Sequence, residues 1–75
     1  MNNNRRKQIR DLVSKLQDLK SDLETIMQDE QDYRDNMPEN MQDGERAQQS
    51  DECIGQLEYA NDELDSAIDN LNEIN

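Results

Sequence analysis

Apolar residues recur through both halves of this chain at alternating spacings of three and four, the period of a helix that keeps one stripe apolar. The first stripe is Ile9, Leu12, Leu16, Leu19, Leu23 and Ile26, and its phase continues through Glu30, Tyr33 and Met37. The second is Ala47, Ser50, Ile54, Leu57, Asn61, Leu64, Ile68 and Leu71. Folding the chain about Asn40, so that paired residue numbers sum to about 80, brings the stripes together: Ile9 meets Leu71, Leu12 meets Ile68, Leu16 meets Leu64, Leu23 meets Leu57, Ile26 meets Ile54 and Tyr33 meets Ala47. The pattern predicts an all-α fold, a single antiparallel two-helix hairpin of coiled-coil type. Helix one should cover about residues 5–35, the turn 36–44 and helix two about 45–73.

Local signals agree with that division. The first stretch holds no Gly or Pro, and Asp11 with Lys15 and Glu30 with Arg34 are carboxylate-first pairs four apart, each contributing a few tenths of a kcal/mol. Pro38 drives Met37 out of helical dihedrals. Asn36 with Glu39 three residues on can cap a short helical turn, and Asp43 can cap helix two, with Glu45 in its first turn. Met37 and Met41 are expected to close the end of the core. Helix two carries near-repeats of seven beginning at Ile54, Asn61 and Ile68, which mark heptads rather than a solenoid. Gly55 falls on its outer face, at a cost of about 1 kcal/mol in helix propensity.

With 75 residues, 31% of them apolar, and neither Phe nor Trp, one hairpin has little material for a core. Ordering costs roughly 1.5 kcal/mol per residue, so a chain of this size is expected to find further burial against a partner. The register suggests where. Along one edge Val13 is set opposite Ala67, Met27 opposite Cys53, Lys20 opposite Ala60 and Arg6 opposite Ile74. A largely apolar edge of Val13, Met27, Cys53, Ala60, Ala67 and Ile74 implies a homodimer in which two hairpins form a four-helix bundle. Docking onto a different protein is the competing use. Asn61, at a seam position opposite Leu19, reads as a device for register and oligomeric state.

Charge adds a second candidate surface. The net charge is −11, but residues 1–20 hold six basic and two acidic residues, whereas 21–75 hold two basic and seventeen acidic ones. Such a surface repels nucleic acid, so the expected partner besides a second copy is a protein with a basic surface. On the edge opposite the apolar one, Lys15 is set against Asp65, while Asp22 faces Glu58 and Asp29 faces Asp51. The like charges Asp22, Asp29, Asp51 and Glu58 are a candidate docking edge for Arg or Lys side chains. Their plainer role is solubility and register. Asp62, Asp65, Asp69 and Glu73 form an outer acidic stripe that solvation explains and that a phosphate-backbone mimic would also show.

Other classes fall away. A lone Cys53 rules out an internal disulfide framework and fits a reducing cytoplasm. No apolar run approaches the 18 or so residues of a membrane span, and the NNNRRK start lacks a signal-peptide core. Without His or a Gly-rich phosphate loop, catalytic triads, zinc sites and nucleotide cradles have no candidates, so neither enzyme activity nor a cofactor is expected. Asp29, Glu30 and Asp32 with Asp62, Glu63 and Asp65 are loosely similar to the magnesium-holding carboxylates of all-α nucleotide pyrophosphohydrolases. The hairpin register, however, sets the two groups far apart along the axis.

The stretch EQDYRDNMPENMQ from Glu30 to Gln42, then Gly44, Glu45 and Arg46, the acidic heptads and the basic Arg5-Arg6-Lys7 start together resemble small, acidic, mostly uncharacterised proteins of phages and prophages. That resemblance implies no chemistry. It implies a setting in which small acidic proteins bind and block host factors, including anti-phage defence proteins. The favoured expectation is therefore stoichiometric inhibition of a host or defence protein in the cytoplasm, with a structural or regulatory phage homodimer and a DNA-mimic inhibitor as alternatives.

Overall fold

The computed structural model describes residues 1–74. Its elements are α1 (Asn3–Asp35), a single 3-10 turn (Glu39–Met41) and α2 (Glu45–Asn72), so the expected all-α hairpin is what the chain forms. α1 starts slightly earlier than the periodicity suggests because Asn2 caps it: its side-chain oxygen accepts from the Arg5 backbone N–H at 2.8 Å. Asn36 then acts at the opposite end from the one expected. It is the C-cap of α1, with its side-chain amide donating to the Asp32 carbonyl at 2.8 Å.

Pro38, at φ −59° and ψ 149°, carries the chain out of the helix and opens the 3-10 turn without any side-chain cap. Gly44, not Asp43, is the N-cap of α2, and no side chain caps that end. The backbone closes the turn instead: Met41 donates to Pro38, Gly44 to Met41 and Gln48 to Gly44. Gln42 donates from its side chain to the Met37 carbonyl at 3.1 Å. Met37 is buried and Met41 half-buried, so both methionines close the core as expected. Gly55 is exposed, with open space where a Cβ would stand.

The hairpin is long and thin, 60 × 15 × 12 Å in its principal Cα extents, with a radius of gyration of 17.3 Å. A compact domain of this length would have about 11 Å. Two rods touch along a single line and no third layer covers them, so among the described residues no large side chain is fully buried.

The seam on α2 is the expected one: Ala47, Ser50 and Ile68 are buried, and Ile54, Leu57, Asn61, Leu64 and Leu71 half-buried. On α1 the helix is turned by one column. Ile9, Leu16, Leu23, Glu30 and Met37 line the seam as expected, but their companions are Val13, Lys20, Met27 and Arg34. Leu12, Leu19, Ile26 and Tyr33, expected to meet Ile68, Asn61, Ile54 and Ala47, are exposed. The reason lies in the breadth of the apolar face of α1, which is three columns wide where one helix partner covers two. The column that wins carries Lys20 and Arg34, whose aliphatic stems lie on the seam while their charged ends reach carboxylates of α2. Ser50 donates to Glu30 at 2.9 Å, and these residue numbers sum to the expected 80.

Candidate functional site: the uncovered edge

Turning α1 by one column gives the hairpin two unlike sides. On the first, Lys20 Nζ lies 3.1 Å from Asp65 and 2.7 Å from Glu24, and Arg34 Nε lies 2.8 Å from Asp51. Arg34 also donates to the Gln42 carbonyl at 3.3 Å, which ties the turn to both helices. Hydrogen bonds to Glu24 first and Asp65 second hold the Lys20 ammonium above its ordinary pKa, and the hydrogen bond to Asp51 does the same for Arg34. A hollow between Glu24, Met27, Gln28, Gln31, Ile54 and Glu58 lies on this side.

The second side is apolar and uncovered. Leu12, Leu19, Ile26 and Tyr33 are 46%, 57%, 55% and 50% exposed, one heptad apart from end to end. Beside them runs the α2 column Cys53, Ala60 and Ala67, also exposed, with exposed Ile74 just past the helix end. Two adjoining hollows place the columns together: Ile26, Tyr33, Leu57 and Cys53 share one, and Tyr33, Arg46, Ser50 and Cys53 share the other. Ile26 and Tyr33 thus stand beside Cys53, and Leu12 and Leu19 continue the one column as Ala60 and Ala67 continue the other.

The expected edges change accordingly. Of the edge Val13, Met27, Cys53, Ala60, Ala67 and Ile74, Val13 is buried and Met27 half-buried in the seam, while the other four are exposed. Val13 and Met27 are replaced on the open side by Leu12, Leu19, Ile26 and Tyr33, which the periodicity had assigned to the seam. Lys15 does not hold Asp65, which goes to Lys20. The acidic edge is divided between the two sides. Asp29 borders the apolar hollow with Ile26 and Cys53, and Asp22 sits one heptad before it. Glu58 lies on the ion-pair side, and Asp51 there is bound by Arg34 rather than left facing Asp29. The outer stripe Asp62, Asp65, Asp69 and Glu73 is exposed throughout, but Asp65 belongs to the Lys20 pair.

Asn61 does lie in the seam, where its side-chain oxygen is buried without a hydrogen-bond partner. Leu19, its expected neighbour, is on the open side. Among the described residues no three His, Cys, Asp or Glu side chains converge in a way that would hold a metal ion. Nor, among them, is any helix long and apolar enough to cross a membrane. No family model matches the chain, and no curated protein or solved structure matches it either.

Proposed function

We propose that this chain is a protein-binding module that acts by stoichiometric association rather than catalysis, and that it works first as a homodimer of hairpins, a four-helix bundle. The observation that supports this reading is the uncovered column Leu12, Leu19, Ile26 and Tyr33 beside Cys53, Ala60 and Ala67. A continuous apolar stripe along a rod with so little core is the surface a small domain covers to become stable. Light scattering on the full chain tests it. The wild type should have twice the chain mass, and Leu19→Asp or Ile26→Asp should halve it while circular dichroism remains helical. A wild-type monomer would sink the reading.

The role we propose for that module is inhibition of a basic host protein, an anti-phage defence factor among them, in the cytoplasm of the host. It rests on the resemblance to small acidic phage proteins and on the carboxylates left exposed outside the dimer surface, Asp62 and Asp69 in particular. DNA mimicry has less support, because Lys20 neutralises one member of the acidic row. The test is retention of one host protein that is lost in high salt and lost in Asp62→Asn/Asp69→Asn, with the dimer mass unchanged. Retention of phage proteins alone would favour a structural or regulatory role.

A further inference from the structure

We infer that the occupant of the open edge is a second copy of the chain laid end over end, so that the turn of each hairpin lies beside the chain ends of the other. This rests on the self-association proposed above and adds its orientation. An isologous interface must map onto itself when reversed about its two-fold axis. The α1 column does so about the level midway between Leu19 and Ile26. The α2 column Cys53, Ala60 and Ala67 does so about Ala60. Those two points stand side by side in the hairpin, because the observed cross-helix pairs Glu30–Ser50, Lys20–Asp65 and Arg34–Asp51 bracket the same register. One axis therefore serves both columns. It sets Leu12 against the partner's Tyr33, Leu19 against the partner's Ile26, Cys53 against the partner's Ala67 and Ala60 against its own copy.

Packing volume does not choose the orientation, since a same-end pairing also makes layers of two large and two small side chains. Charge does. The turn half, residues 23–60, holds two basic and eleven acidic residues, a net −9, while the rest holds six and eight, a net −2. Same-end pairing sets −9 on −9. End-over-end pairing sets each turn half on an open half and lays α1 antiparallel on the partner's α1. Its basic first twenty residues, net +4, then run beside residues 21–35, which hold six acidic residues and one arginine. At the margin of the apolar column, Lys15 comes opposite the partner's Asp29. Two adverse consequences go with it: the two Asp22 carboxylates approach each other at the axis, and the acidic α2 of each copy, with eight acidic residues and one basic, lies on that of the other.

The arrangement also sorts charge between sides. α2 stacks on the partner's α2, each with eight acidic residues and one basic, whereas α1 holds eight acidic and seven basic. One side of the bundle is thereby strongly acidic and the other nearly neutral.

Spin labels on the full chain decide the orientation. End over end, the two Cys53 positions are fourteen residues apart along antiparallel helices, about 21 Å of axial separation at 1.5 Å per residue. In Cys53→Ala/Ala60→Cys the labels sit at the axis, so their distance should be clearly shorter than that for Cys53, and a short bis-maleimide should link the copies. Two short and equal distances would overturn the orientation while leaving the dimer standing. A monomeric mass with no intermolecular dipolar signal would remove the dimer as well. Charge exchange gives a second readout: Lys15→Glu should weaken the dimer, and Lys15→Glu/Asp29→Lys should restore it. Failure of the double variant to recover, in a protein still dimeric, also counts against the end-over-end pairing.

Discussion

The two sides of this hairpin are built from neighbouring columns of the same heptads, yet one is closed within the chain and the other is left open. On the closed side Val13 and Met27 supply apolar contact, and Lys20 and Arg34 reach across to Asp65 and Asp51. On the open side four large apolar residues of α1 stand beside Cys53, Ala60 and Ala67, which have no length to reach them. The difference teaches that helix rotation was decided by side-chain reach. Long basic residues satisfy a carboxylate across the seam from a flanking position, and small residues cannot bridge a flank at all. The column with nothing to reach for is the one left exposed.

Substituting one residue in each column is the strongest way to break this contrast. Val13→Asp places a carboxylate at a position only 8% exposed, which should cost several kcal/mol and unfold a domain of this size, seen as loss of helical circular dichroism. Leu19→Asp/Ile26→Asp should remove association, and with it the stability that association adds, while the helical signal at low temperature is kept. Melting should then lack the dependence on protein concentration expected of the proposed dimer. Undiminished association in Leu19→Asp/Ile26→Asp would mean that the open column is not the contact surface.

Smaller changes sharpen the picture. Gly55→Ala, in an exposed helical position with free space for the methyl group, should add about 1 kcal/mol and raise the melting temperature by about 4–8 °C. The acidic residues should split in sign. Asp51→Asn removes the partner of Arg34 and should lower stability slightly, whereas Asp22→Asn should raise that of the proposed dimer by relieving repulsion across its axis. A common sign would mean that the carboxylates act as one repulsive edge. The smallest effect is that of Lys20 in alkali. Because its folded-state pKa is raised, its stabilising contribution is complete below the ordinary value of 10.5 and is lost as pH rises through the folded value. Lys20→Met should flatten that part of a melting-temperature profile against pH.

The sequence by itself determined the two helices, the place of the bend and the whole α2 seam, because each rests on spacing and local chemistry. In α2 the column beside the seam is small, Cys53, Ala60 and Ala67, so the larger Ile54, Leu57, Leu64, Ile68 and Leu71 mark the seam, and Pro38 stops α1 wherever it packs. The EQDYRDNMPENMQ stretch turns out to hold the bend together: Arg34 binds Asp51 and the Gln42 carbonyl, Gln42 binds the Met37 carbonyl, and Met37 is buried. Only the tertiary structure decided which two of the three apolar columns of α1 face α2. Spacings of three-then-four and four-then-three both satisfy the helical period, so periodicity carries no information about that rotation. The choice turned on contacts between residues 17 and 45 positions apart, Arg34 with Asp51 and Lys20 with Asp65, and a pattern read along one helix does not contain them.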